Sequence, residues 1–104
     1  MALSWRHSLA PVVEEHAVFL HLPANLETGQ IETDLATLLA QSRIGEFDGT
    51  DVSGDEKILY LYGRNAEQIF ELIEPTLRSD DAYHGGWAQL RFGPPGSPFR
   101  KVQF

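Results

Sequence analysis

The chain has 104 residues, the size of one domain, and its 42% hydrophobic and 11% aromatic content suits a packed core rather than disorder. Fifteen carboxylates against eight Lys and Arg give a formal charge of -7, a field that opposes phosphate backbones and anionic lipid. Cysteine is absent, which excludes disulfides, thiolate metal sites, iron–sulfur clusters and cysteine nucleophiles.

Residues 1–15 follow no clear period, and the Ala10-Pro11 step argues against a continuous helix there. They are expected to form a loosely docked arm, with residues 16–104 as a single domain. The opening Met-Ala-Leu-Ser-Trp-Arg-His holds no apolar run of signal length, and nothing approaches the roughly 20 apolar residues that span a bilayer. A cytoplasmic protein without a membrane partner is therefore expected.

From His16 the pattern alternates to Leu22 and stops at Pro23. Val18, Leu20 and Leu22 share one face of a strand, and Phe19 and His21 share the other. Ile31, Leu35, Leu38 and Leu39 then recur at helical spacing, with Glu32 and Asp34 near the start, Arg43 closing the last turn and Gly45 stopping the helix. Phe47 to Val52 reads as a short, irregular edge strand, followed by a Ser53-Gly54-Asp55 turn.

Lys57 to Tyr62 is the clearest strand, with Leu59 and Leu61 on one face and Ile58, Tyr60 and Tyr62 on the other. Asn65 with Gln68 three residues on has the form of a capping box opening a helix whose stripe is Ile69, Phe70, Leu72, Ile73 and Leu77. Pro75 lacks an amide donor and crowds the carbonyl of Glu71, so this helix is expected to end near Glu74 or to kink. Ser79-Asp80-Asp81 and His84-Gly85-Gly86 read as loop, Trp87 to Phe92 as a strand, Gly93-Pro94-Pro95-Gly96 as a turn, and Arg100 to Phe104 as a possible fifth strand.

This order predicts an α+β fold: a ferredoxin-like βαββαβ sandwich, with two helices on one face of an antiparallel sheet and strands one and three central. The run Leu59-Tyr60-Leu61-Tyr62-Gly63, then Ala66, Phe70, Ile73-Glu74-Pro75 and Leu77, then Leu90-Arg91-Phe92-Gly93-Pro94-Pro95-Gly96, resembles a group of small uncharacterised bacterial proteins. That resemblance covers about the C-terminal half. It implies a bacterial, stand-alone domain and brings no activity with it.

If the leucine set packs under the helices, period two assigns the rest to an open sheet face carrying Phe19, His21, Ile58, Tyr60, Tyr62, Trp87, Gln89 and Arg91. So many large rings on neighbouring strands make an apolar surface that needs a cover. The arm, a second copy or another protein, and a small ligand or single strand compete for it. The first reading is a non-enzymatic protein-interaction or self-association module, such as a homodimer, binding through Phe19, His21, Tyr60, Tyr62, Trp87 and Arg91. The alternative is a small-molecule-binding or enzymatic domain using the same face. Nucleic acid is disfavoured by the net charge and by the missing Lys/Arg-Gly-Phe/Tyr-Gly signature of RNA-recognition sheets. Arg91 and His21 are expected to be the only cationic or titratable groups on the face. Either Arg91 stacks on Trp87 or a tyrosine and His21 is half solvated, or Arg91 clamps an anionic partner group and His21 is a pH-sensitive hydrogen-bonding residue.

No catalytic residue, metal site or cofactor is expected. His16 and His21 fall on opposite strand faces and cannot share a metal. A calcium loop begun at Asp48 would meet Val52 at a ligand position, and one begun at Asp51 would set Glu56 where glycine is required. Nucleophile-elbow, Walker and dinucleotide-binding glycine motifs are missing. Glu67, Glu71 and Glu74 read as a solvated helix stripe, with Glu74 pairing to Arg78.

Overall fold

The computed structural model describes residues 15–104. Apart from Glu15, the expected arm lies outside the described residues. The chain order is β1 (His16–Pro23), α1 (Gly29–Ser42), β2 (Gly45–Ser53), β3 (Glu56–Gly63), α2 (Ala66–Arg78), β4 (Trp87–Arg91) and β5 (Phe99–Gln103). The fold is α+β: a five-stranded antiparallel sheet in the order β2-β3-β1-β4-β5, with two helices. β1 and β3 are interior strands, and so is β4, because the optional fifth strand forms and pairs with it.

Alternation sorts the side chains as the spacing predicts. Val18, Leu20 and Leu22 of β1, Leu59 and Leu61 of β3, and Ala88 and Leu90 of β4 are sealed against both helices. α1 contributes Ile31, Leu35 and Leu39, while Leu38 is only half-buried. α2 contributes Ile69, Phe70, Ile73 and Leu77. Full burial of each such aliphatic side chain stabilises by about 1.5–3 kcal/mol, which is why the helices dock on this face alone.

The helix ends are chemically explicit. Thr28 precedes α1, and its hydroxyl donates to the Glu32 carboxylate at 2.6 Å, holding that charge beside the positive end of the helix. α1 ends one step earlier than its glycine suggests. Arg43 itself turns left-handed (φ 60), its amide donating to the Leu39 carbonyl, and Gly45 already begins β2. The Asn65 side chain accepts from the Gln68 amide at 3.1 Å, as its capping position predicts. A second acceptor comes from far away in sequence: His16 Nδ1 takes the Ala66 amide at 3.1 Å.

α2 does not stop at Glu74 but continues through Pro75 to Arg78. Buried Ile73 and Leu77 tie its final turn to the core, Glu71 is exposed so that water can serve its carbonyl, and Ser79 N donates to Pro75 O at 3.0 Å. Glu74 and Arg78 pair as expected. The segment after α2 is not all loop. Asp81–Tyr83 forms a 3-10 turn capped by Asp80, and it buries Tyr83 in the core, as β5 delivers Phe104.

Candidate functional site

The face turned away from the helices is built row by row from the pairing register. One row runs Glu46, Tyr62, Ala17, Arg91, Phe99 from β2 to β5, and the next runs Gly49, Tyr60, Phe19, Gln89, Lys101. A third runs Asp51, Ile58, His21, Trp87, Gln103. All six residues expected to bind therefore lie on one surface, brought together by three antiparallel strands.

Their rings cover one another. Phe19 meets Tyr60 and Tyr62 edge-on, with centroids 5.4 and 5.9 Å apart. Each of these aromatics is half-buried, and the most exposed ring on the face is Phe99 at its β5 edge, 62% accessible. Arg91 stacks on neither Trp87 nor a tyrosine. Its guanidinium lies 5.5 Å from the Phe19 centroid, with Nε donating to the Gly93 carbonyl at 2.8 Å. Trp87 instead carries Lys101 at 4.4 Å and stacks flat on His21 at 3.7 Å.

His21 is not half solvated, as only 10% of its side chain is accessible. Nδ1 lies 3.3 Å from Glu56 Oε2, within ion-pair reach for a protonated ring but off the line of a hydrogen bond. Among the described residues neither ring nitrogen has an aligned partner. A hollow of about 240 Å³ beside it is walled by Asp55, Glu56 and Trp87.

Arg91 and His21 are not the only charged groups here. β2 adds Glu46 and Asp51, β3 adds Glu56, and β5 adds Lys101. A bulge at Asp48 explains why β2 hid its contribution: the register shifts between Phe47 and Gly49, so even-numbered Glu46 and odd-numbered Asp51 share a face. Lys101 and Phe99 were legible as an alternating pair once β5 was paired with β4. Asp48 and Asp51 flank a second hollow of about 320 Å³ against Tyr60 and Tyr62. Burial, then the hydrogen bond to Asp51 and its charge, then Tyr62, raise the Tyr60 phenol above its ordinary 10.0.

The face is thus acidic at its β2 edge, aromatic across β3 and β1, and basic towards β4 and β5. Among the described residues no cluster of three or more His, Asp or Glu could hold a metal ion, and no helix is long and apolar enough to cross a membrane. Comparison of the chain with protein-family models, curated proteins and solved structures gives no match.

Proposed function

We infer that this chain is a non-enzymatic self-association module that buries its aromatic sheet face against a second copy of itself. The observation that carries the reading is the charge gradient across that face, from Glu46 and Asp51 on β2 to Arg91 and Lys101 on β4 and β5. A two-fold axis parallel to the strands lays the acidic edge of one copy over the basic side of the other, so the surface is its own complement. Phe19, Tyr60, Tyr62 and Trp87 then form the dry centre, the position in which aromatics contribute most to an interface. The frame for this module is the ferredoxin-like plan: β3 lies between β1 and β2 as a split βαβ unit requires, and β5 is an addition at the far edge. The likeness to small bacterial proteins in the C-terminal half is in keeping with a stand-alone domain of this kind.

Light scattering after size-exclusion chromatography tests the reading. A dimer is expected, weakened by Asp51→Lys or Lys101→Glu alone and restored when both are combined. A monomer at every concentration, or charge reversals without effect, refutes it.

A second reading draws on His21, whose sealed and unaligned ring nitrogens border a hollow with two carboxylates. Because those nitrogens are shut off from solvent, a small hydrogen-bonding ligand seated there would satisfy the imidazole only once the ring turns towards it. A metabolite whose binding is lost in His21→Phe would favour this reading over self-association.

A further inference from the structure

A cleft lies between the end of α1 and the start of α2, and none of its described lining residues belongs to the aromatic sheet face. Its volume is about 480 Å³, within the ordinary range for small-molecule sites. Leu39 and Ile44 give it an apolar wall, Asn65 and Gln68 supply amides, and Arg43 and Arg64 supply guanidinium groups. Among the described residues no carboxylate lines it, although the chain carries fifteen Asp and Glu.

The two arginines stand apart from the other described basic residues. Lys57 donates to the Leu26 carbonyl, Arg78 pairs with Glu74, Arg91 with Gly93 and Phe19, Arg100 with Glu67, and Lys101 lies over Trp87. Among the described residues the guanidinium groups of Arg43 and Arg64 have no hydrogen bond, ion pair or ring contact. In a chain with 15 acids against 8 Lys and Arg, these two unneutralised arginines of the described residues border one cleft. The first-turn amides of α2 do not explain this as a helix-end site, because Ala66 N is held by His16 and Gln68 N by Asn65. Recognition of charge falls to the arginines, whose planar forks match carboxylate and phosphate oxygens in pairs.

We propose that this cleft binds a small organic anion, with a phosphate or carboxylate head held by Arg43 and Arg64 and an apolar body against Leu39 and Ile44. Gly45 and Gly63 also border the cleft, where β2 and β3 approach so closely that a Cβ on either would overlap a backbone carbonyl oxygen, of Tyr62 and Ile44 respectively.

Phenyl phosphate and benzoate are the probes, with benzyl alcohol as the uncharged control, titrated into the full chain while backbone amide resonances are followed by NMR. Saturable shifts are expected at Gly63, Arg64 and Asn65 with one or both anions and not with the alcohol. The stronger of the two identifies the head group. Arg43→Gln and Arg64→Gln should each weaken binding about tenfold, the loss of a charge-assisted hydrogen bond. Both side chains are on the surface, so the variants should keep the dispersed spectrum of the folded protein. Absence of saturable shifts, equal binding of benzyl alcohol, or wild-type affinity in both folded variants overturns the proposal. Because the dimer assay uses a different surface, failure here leaves the self-association reading standing, and the reverse also holds.

Discussion

Gly63→Ala adds one methyl group where β3 leaves the sheet, and the structure sets its cost. Gly63 pairs with Gly45 across the β2–β3 ladder, and the two backbones approach more closely than any Cβ allows. The new carbon would overlap the Ile44 carbonyl oxygen, come within 2.6 Å of Ile69 Cδ1 and lie 3.2 Å from Gly45 Cα. The Ile69 methyl can rotate away, but the Ile44 oxygen belongs to the main chain entering β2 and must move by about 1 Å to regain ordinary contact. Overpacking of this kind costs typically 1–3 kcal/mol, and a main-chain obstacle argues for the upper end, about 3 kcal/mol. For a domain of this size that lowers Tm by roughly 12–24 °C. Gly29→Ala is the control of opposite sign. Its Cβ would meet only Glu27 Oε1 at 3.6 Å, and alanine at the start of α1 should stabilise by up to about 1 kcal/mol. Urea unfolding followed by tryptophan fluorescence and far-ultraviolet circular dichroism measures both. A Gly63→Ala protein within 1 kcal/mol of wild type would refute the close-approach argument.

His16→Ala strands the sealed Ala66 amide without its acceptor and should cost about 1–3 kcal/mol, with faster hydrogen exchange at Ala66; an unchanged exchange rate would mean the contact is not made. Pro75→Ala restores a donor for the Glu71 carbonyl and should stabilise by about 2 kcal/mol after the greater freedom of the unfolded chain is subtracted; destabilisation in thermal melts would contradict that. Burial and nearby carboxylates, Asp51 for Tyr60 and Asp80 then Asp34 for Tyr83, hold both phenols above 10.0. The folded state thus keeps protons that the unfolded state releases. The associated stability is complete below pH 10 and falls as pH rises through the folded-state values. Tyrosinate absorbance should therefore lag behind that of denatured protein above this pH, and Tyr60→Phe and Tyr83→Phe should each flatten the alkaline decline of the urea midpoint.

Local periodicity alone determined a good deal of this protein. Alternation in β1, β3 and β4 separates a leucine set from an aromatic set because neighbouring side chains on a strand must point apart, whatever the partner strand is. The spacing of Ile31, Leu35 and Leu39 marks the buried stripe of α1, and Asn65 marks the start of α2, since a cap is satisfied within one turn. All six expected binding residues share a surface for the same reason.

What pairing and packing decided is of another kind. The bulge at Asp48 reverses the parity of β2 and brings Asp51 to the face beside Tyr60. Lys101 reaches Trp87 only because β5 adds to β4, and Tyr83 enters the core from a segment too short to have a period. α2 outlasts Pro75 because tertiary burial of Leu77 outweighs a local preference, and Arg43 meets Arg64 at one cleft only after two helices have docked. Each of these depends on residues far apart along the chain, joined by register and burial that no local window contains.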